Sequence, residues 1–158
     1  MKKKVSILNN RSVVKISGED SLLFLNNIIS SDLEKINHEE LFITTLLSPQ
    51  GKILFDFFII KKEDFYLIEC SKNQLNDLTN KFKLYSLRLD VTFEKTNLDV
   101  IISNYFYQDE ISRKDLRFKN NDIYRHYSKP KKNFKNFCLR DWYDHLRFTN
   151  LCPEGELE

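Results

Sequence analysis

The chain has 158 residues and a formal net charge of +2, and 41% of its residues are hydrophobic against 30% charged. This balance suits a compact domain with its own apolar core and excludes a largely disordered chain. No stretch reaches the roughly 18 apolar residues of a membrane span, and the apolar run after the basic start is too short for a signal peptide. Three widely spaced cysteines argue against a disulfide framework, so we expect a reducing compartment: the cytoplasm or, in a eukaryote, the mitochondrial matrix.

The first elements are predicted to be a short strand at 13–16 and a helix from about Asp20. Ser17 and Asp20 resemble a capping box, whose side chains accept hydrogen bonds from the free amides at a helix start. A hairpin follows, with strands at 41–47 and 52–60 around a tight turn. The second of these strands is apolar at both parities apart from Asp56, which predicts a central strand covered on both faces.

A third strand is predicted at 65–70, followed by a second helix that begins near Ser71 and Gln74 with another capping pattern. Strict alternation predicts a strand at 87–93, and 98–102 is a further candidate. The order of elements indicates an α+β fold with ferredoxin-like strand–helix units, in which helices cover one face of an antiparallel or mixed sheet.

The pattern weakens between residues 103 and 135, after which a last strand at 136–140 and a short helix around Trp142 and Tyr143 are predicted. Residues 113–147 hold 11 Lys and Arg against 4 Asp and Glu. Basic residues are interspersed with aromatic residues at 113–119 and 129–135, as they are on protein surfaces that bind single-stranded RNA. An RNA-binding module is therefore one alternative, and a solvated basic loop is the other.

Several short sequence motifs occur along the chain in a characteristic order. They are Gly18-Glu19-Asp20 after a strand, Phe24-Leu25 in a helix, Leu46 to Asp56 with Pro49-Gln50-Gly51-Lys52, Tyr85 to Arg88, and Arg147-Phe148 before Pro153-Glu154-Gly155. Together they resemble the YgfZ-type folate-binding proteins, relatives of the glycine-cleavage aminomethyltransferases (GcvT).

The resemblance implies a GcvT-like N-terminal folate-binding domain that holds tetrahydrofolate or a derivative. It also implies a role in iron–sulfur cluster assembly or repair, with iron–sulfur proteins or cluster assembly factors as partners, and a link to tRNA modification. In that family a Lys-Gly-Cys-Tyr motif and a C-terminal barrel follow. Because the sequence ends at Glu158 before either, we expect residues 1–158 to be a truncated, leading part of the fold.

Phe55 and Asp56 decide between binding and catalysis. By resemblance, Phe55 occupies the place of the aspartate that transfers protons in the aminomethyltransferases, and a phenyl ring cannot exchange protons. Alternation along a strand directs Asp56 to the opposite face, so it cannot replace that acid. We therefore expect folate binding without aminomethyl transfer and without a catalytic residue, with true aminomethyl transfer as a third, disfavoured alternative.

Four residues are the candidate folate contacts: Arg11, Asp56, Tyr143 and Arg147. Arg11 could stack on the pterin or pair with a glutamate tail, and is otherwise a solvated turn residue. Asp56 could line the folate channel, although the favoured alternative is that it is an edge or strand-end carboxylate paired with a Lys or Arg. Tyr143 and Arg147 match positions near folate in relatives, but Tyr143 could equally be a core residue.

No metal site is expected, because His38, His126 and His145 are scattered and no Cys-x-x-Cys spacing occurs. We expect each histidine to be a surface or capping residue. Cys70 is expected to be a small buried hydrophobic residue in preference to a reactive thiol.

Overall fold

The computed structural model describes residues 3–36, 41–106, 111–130 and 140–152, and the following account concerns these residues. Their chain forms two antiparallel sheets, three α-helices and a short 3-10 turn at Leu33–Lys35. The strands are β1 (Val5–Ile7), β2 (Arg11–Ser17), β3 (Phe42–Leu47), β4 (Ile53–Lys61), β5 (Phe65–Ser71), β6 (Thr92–Lys95), β7 (Asp99–Ser103), β8 (Ile111–Lys114) and β9 (Tyr124–Ser128). The helices are α1 (Ser21–Ile28), α2 (Leu75–Tyr85) and α3 (Arg140–Thr149). The predicted α+β class is confirmed.

The larger sheet has five strands in the order β3-β4-β5-β2-β6. The predicted order of elements from β2 to α2 is confirmed, and so is the hairpin turn, where the Gly51 amide donates to the Ser48 carbonyl at 2.9 Å. Gly51 has a φ of +78°, a conformation that favours glycine. Residues 57–60 of β4 are all buried, because the strand is covered on both faces as its apolar composition predicts.

One face of this sheet is covered by α1 and α2, which form the helix-side core with it. Phe82 of α2 lies at its centre and is fully buried. Its ring meets those of Phe24 and Phe57 edge-on, with centroids 5.8 and 5.9 Å apart, and stacks on Phe93 at 5.8 Å. These are favourable geometries for aromatic pairs, so the helical stripe fixes how α2 sits on the sheet.

Gly18 and Asp20 fasten the start of α1 to the chain before β6. Gly18 has a φ of +121°, and a Cβ there would lie 2.1 Å from the Asp90 carbonyl oxygen. Asp20 accepts a hydrogen bond from the Asp90 amide at 2.8 Å and caps no helix amide with its side chain. The predicted capping box at Ser17 and Asp20 is therefore wrong: the Gly-x-Asp sequence serves a tertiary contact. In the second capping pattern, the part that concerns Gln74 is wrong, because the Gln74 side chain makes no cap hydrogen bond.

The smaller sheet has four strands in the order β1-β7-β9-β8 and packs on the second face of the larger one. The candidate strand at 98–102 corresponds to β7, whereas β1, β8 and β9 were not predicted. The predicted strand at 87–93 is wrong over most of its length, since β6 begins only at Thr92. Leu87 is exposed and Arg88 has a φ of +75°, which a turn allows and a strand does not.

Helix α3 contributes to the layer between the sheets, which we call the inter-sheet core. The predicted helix around Trp142 and Tyr143 is confirmed, whereas residues 136–139 of the predicted last strand lie outside the described residues. Within the described part of the chain, no helix is both long enough and apolar enough to cross a bilayer.

Candidate ligand-binding site

A buried carboxylate, Glu69 of β5, is the centre of an ionic network in the inter-sheet core. Its side chain is fully buried, and Oε1 accepts hydrogen bonds from Arg11 Nε at 2.8 Å and from Arg125 Nη1 at 2.5 Å. Tyr127 donates its hydroxyl to Oε2 at 2.6 Å. Burial first, and then the charge of Glu69, raise the pKa of Tyr127 well above its usual value, so the phenol stays a donor.

Arg125 of β9 joins this carboxylate to a second one and to α3. Its Nε donates to Asp115 Oδ2 at 3.2 Å and its Nη2 donates to the Tyr143 hydroxyl at 2.7 Å. Asp115 also receives two hydrogen bonds from Arg117, at 2.8 and 2.6 Å. The network thus links the two sheets and α3 through charge-assisted hydrogen bonds, which are the stronger kind.

Phe58 of β4 lies under this network. The guanidinium carbons of Arg125, Arg117 and Arg11 lie 4.3, 4.6 and 5.8 Å from its ring centroid. A ring face attracts cations, and the attraction is larger in a site without water. The guanidinium groups are therefore held between a ring and carboxylates, which fixes their planes.

Beside the network, where β2 and β5 face β7 and β8, a cavity of about 1090 Å³ opens to the surface. We call it the inter-sheet cavity. Apolar side chains from both sheets line it: Leu8, Phe65, Leu67, Leu98, Val100 and Ile111. Its cations are Arg11, Lys15, Lys72, Lys95 and Lys129, against one acid, Asp99. Lys72, Lys95 and Lys129 are exposed at the rim, whereas Arg11 at the floor is buried and paired with Glu69, so the positive charge is concentrated at the rim. Such a volume is slightly above the about 300–1000 Å³ that is typical of small-molecule sites.

Of the four predicted contacts, Arg11 lines the inter-sheet cavity. It is buried, and its guanidinium is held by Glu69, so the alternative of a solvated turn residue is wrong. Asp56 lies on the same face of β4 as Phe58 and hence faces the inter-sheet side, whereas Phe55 packs against the helix-side core, as alternation predicts. Asp56 is half-buried and is not a cavity-lining residue.

Tyr143 and Arg147 lie on α3, away from the inter-sheet cavity. Tyr143 is fully buried and holds Arg125 through its hydroxyl, which matches the alternative of a core residue. Arg147 is also buried, with Nε 3.6 Å from Asp144 Oδ1 and its guanidinium over the Phe148 ring. A contact of either residue with folate stays a prediction, as does that of Asp56.

The basic run at 113–119 does not form one exposed stripe. Arg117 is mostly buried against Asp115, and Arg125 beyond it is completely buried. Lys114 lies on the surface and pairs with Asp122 at 2.6 Å. Residues 131–139, which include most of the second basic run, lie outside the described residues. Nucleic acid as a partner stays a prediction, with fewer exposed cations to support it than the sequence suggests.

Cys70 is fully buried in the helix-side core, and burial raises the pKa of its thiol to about 12. The expectation of a small buried hydrophobic residue is confirmed. His126 is also buried, with its ring nitrogens 2.7 Å from the Ser103 hydroxyl and 2.6 Å from the Ser112 hydroxyl, so the expectation of a surface or capping residue is wrong there. His145 is exposed, and His38 lies outside the described residues. No cluster of potential metal ligands occurs among the described residues.

The fold has a close match among solved structures. The aminomethyltransferase T of the glycine cleavage system from Bartonella henselae superposes with a TM-score of 0.68 over 92% of this chain, at 10% sequence identity. The fold is GcvT-like. The chain spans 45% of the length of that protein. No protein-family model matches the sequence, and no curated protein sequence matches it. At this identity the likeness concerns the fold alone.

Sequence reasoning missed Glu69 and the lysines of the cavity rim. Glu69 interrupts an apolar strand, which is the signal that drew attention to Asp56, and the same argument would have found it. The rim lysines are far apart in sequence and join only when β2, β6 and the segments after β5 and β9 meet. A pattern along the sequence therefore gives no signal for them.

Proposed function

We propose that this chain binds tetrahydrofolate, or a derivative, in the inter-sheet cavity and acts as a YgfZ-like protein in iron–sulfur cluster assembly or repair. Residues 1–158 then correspond to the leading part of a GcvT-like fold. The chemistry of the cavity carries the folate proposal: it has an apolar lining and a rim with three exposed lysines, Lys72, Lys95 and Lys129. Folate combines flat aromatic rings with a carboxylate-bearing tail, and each part has a matching region.

Binding without aminomethyl transfer is supported by Phe55. It occupies, by resemblance, the place of the proton-transferring aspartate, and its ring packs into the helix-side core on the face away from the cavity. A phenyl ring can neither accept nor donate a proton to a folate nitrogen. Asp56, and not Phe55, faces the inter-sheet side of the sheet, contrary to the expectation from the resemblance, but its side chain does not line the cavity. The protein therefore binds the folate and does not catalyse aminomethyl transfer.

The binding test is calorimetric titration with tetrahydrofolate, using the charge reversal Lys95→Glu on the cavity rim. Lys95 is exposed, so the fold tolerates the change, and loss of one attraction plus a new repulsion should weaken binding about fivefold. The matched control is Lys83→Glu, an exposed lysine on α2 at the opposite face of the sheet. Lack of saturable binding to the unaltered chain would contradict the proposal.

A turnover assay with an aminomethylated lipoyl carrier tests the absence of aminomethyl transfer, and steady product formation would refute that absence.

The proposed cellular role is tested in cells that lack the gene. There the activity of iron–sulfur enzymes should fall under oxidative stress and recover with the unaltered gene but only weakly with Lys95→Glu. If the unaltered gene and the Lys95→Glu variant restored enzyme activity equally well, the cellular role would not depend on folate binding.

A further inference from the structure

A second cavity, of about 410 Å³, lies at the end of the smaller sheet where β1 and β9 begin and β7 ends. We call it the strand-end cavity. Trp142 and Leu146 of α3 form an apolar wall, and Asn104, Asn120 and Asn121 place carboxamides around it. Flat aromatic compounds pack well on such a wall, and carboxamides can hydrogen-bond the donors and acceptors at the edges of their rings.

Lys4 gives the strand-end cavity a positive charge. Its Nζ lies 5.6 Å from the Trp142 ring centroid. The Lys4 amide donates to Asn104 Oδ1 at 2.8 Å, which holds the start of β1 beside the end of β7. Asp122 also lines the cavity, but its carboxylate is paired with Lys114 at 2.6 Å. The cavity therefore combines an aromatic wall with a cation, and this combination suits an aromatic ligand that carries an anion.

Further aromatic side chains continue from this cavity along the same edge of the smaller sheet. Tyr105 and Phe106 follow the end of β7, and Lys3 Nζ lies 4.8 Å from the Tyr105 ring centroid. The Phe106 ring meets that of Tyr124, at the start of β9, edge-on with centroids 5.7 Å apart, yet Phe106 is 58% exposed. Together with Trp142, these rings form what we call the aromatic edge, with lysines beside it.

The strand-end cavity and the inter-sheet cavity lie at opposite ends of β7. Val100, near the start of this strand, lines the inter-sheet cavity, and Asn104, just after its end, lines the strand-end cavity. Four residues of a strand span about 13 Å. A ligand of the strand-end cavity therefore does not compete with a folate in the inter-sheet cavity.

We infer that the strand-end cavity and the aromatic edge bind single-stranded nucleic acid, a function beyond the one proposed above. One base would enter the cavity against Trp142, neighbouring bases would stack on Tyr105 and Phe106, and Lys3 and Lys4 would pair with phosphates. Adjacent strands lie about 4.8 Å apart, so the edge from β1 across β7 to β9 is roughly 10 Å wide. Stacked nucleotides rise about 3.4 Å each, so this width accommodates about three of them.

The experiment measures fluorescence anisotropy of a labelled oligouridylate of about eight nucleotides, titrated with the 158-residue chain at salt concentrations from about 50 to 200 mM. Binding should saturate. Two phosphates paired with Lys3 and Lys4 give a slope of about −1.4 for log affinity against log salt concentration. Lys4→Gln should reduce the steepness of that slope by about 0.7, whereas Lys83→Gln, at an exposed lysine on α2, should leave it unchanged.

Phe106→Ala tests the stacking and should weaken binding about tenfold. Phe148→Ala is the matched control and should leave the affinity unchanged, because Phe148 is equally open, at 61% exposed, but lies about 120° around α3 from Trp142. Excess tetrahydrofolate should not displace the oligonucleotide. Equal urea midpoints confirm that the variants are folded.

Each other outcome decides the inference. The same sequence as DNA identifies the natural class of strand, and binding of either strand with loss in Phe106→Ala supports the surface. Lack of saturable binding, or equal losses in Phe106→Ala and Phe148→Ala, overturns it. Displacement by tetrahydrofolate overturns it in favour of the inter-sheet cavity. Equal affinity for uridine monophosphate and for the oligonucleotide overturns it in favour of a mononucleotide site.

Discussion

The two faces of the five-stranded sheet are buried by different chemistry. On the helix side, α1 and α2 bury aromatic and aliphatic side chains, and Phe82 meets three other rings. On the other side, the smaller sheet and α3 cover a layer in which Glu69 and Arg125 are completely buried as ions. The stability of the first face depends on how much apolar surface is buried and how well the side chains fit. The stability of the second face depends on every buried charge having a partner.

This difference affects how the position of the smaller sheet on the larger sheet is determined. An apolar contact tolerates small shifts, whereas a buried ion that loses its partner pays a large desolvation cost. Arg125 lies on the smaller sheet, Glu69 on the larger and Tyr143 on α3, and they meet in one place. We therefore expect the network to fix the placement of the smaller sheet and, with it, the shape of the inter-sheet cavity.

The largest effect is expected from Glu69→Ala, which leaves Arg11 and Arg125 buried without their shared carboxylate. Removal of one partner from a buried ion pair costs about 3–5 kcal/mol of the free energy of unfolding, measured by urea denaturation. Glu94→Ala is the matched control, because Glu94 pairs with Lys15 at 3.4 Å on the surface, where a pair contributes about 0–1 kcal/mol. Similar costs for the two variants would refute the importance of the network.

Phe82→Ala tests the helix-side core in the same way. Loss of a buried ring leaves a cavity and should cost about 3–4 kcal/mol of unfolding free energy. The change lies on the face away from the inter-sheet cavity, so the affinity for tetrahydrofolate should stay the same while the protein is folded. Leu84→Ala, on the exposed side of α2, should cost about 0.5 kcal/mol or less. A loss of folate affinity in Phe82→Ala would show that the two faces are coupled.

The same contrast explains what the sequence could predict. Helical spacing and strand alternation depend on near neighbours, and they predicted α1, α2 and β3 to β5 on the helix side. The inter-sheet core is built from residues far apart in sequence: Glu69, Asp115 and Arg125 are separated by 46 and 10 residues before they meet. Charged residues such as Arg125 also lower the apolar signal of β8 and β9, so the pattern between residues 103 and 135 predicts no strand there.

Gly18→Ala should cost about 2–3 kcal/mol, because its φ of +121° strains any side chain and the new Cβ would overlap the Asp90 carbonyl oxygen. Gly51→Ala is the control: its φ of +78° carries strain of about 1–2 kcal/mol, but nothing lies within 4 Å of the added Cβ. Urea midpoints of the two variants separate strain from overlap. An equal loss in both would mean that the contact at Asp90 contributes nothing.

The smallest expected effect is acid sensitivity that comes from Asp115, since one carboxyl titrates and no side chain is removed. Burial alone would raise the pKa of Asp115, but the hydrogen bond from Arg117 and the charge of Arg125 outweigh it and hold that pKa below 3.8. A carboxyl with a lowered folded-state pKa stabilises the fold above its unfolded pKa, and this contribution is lost as pH falls through the folded value. We therefore expect the unfolding free energy to be level above about pH 5 and to fall below about pH 4.

The comparison is between the unaltered chain and Asp115→Asn, by urea denaturation at several pH values from 6 to 3. The variant is less stable throughout, but its stability should depend less on pH in the acid range, since the titrating group is gone. Asp122→Asn removes a carboxyl from the same connection between β8 and β9 at an exposed pair with Lys114, and it should keep the acid slope of the unaltered chain. If Asp115→Asn kept that slope as well, the acid sensitivity would lie outside the Asp115 end of the network, and the two faces of the sheet would differ less in their electrostatics than their contacts indicate.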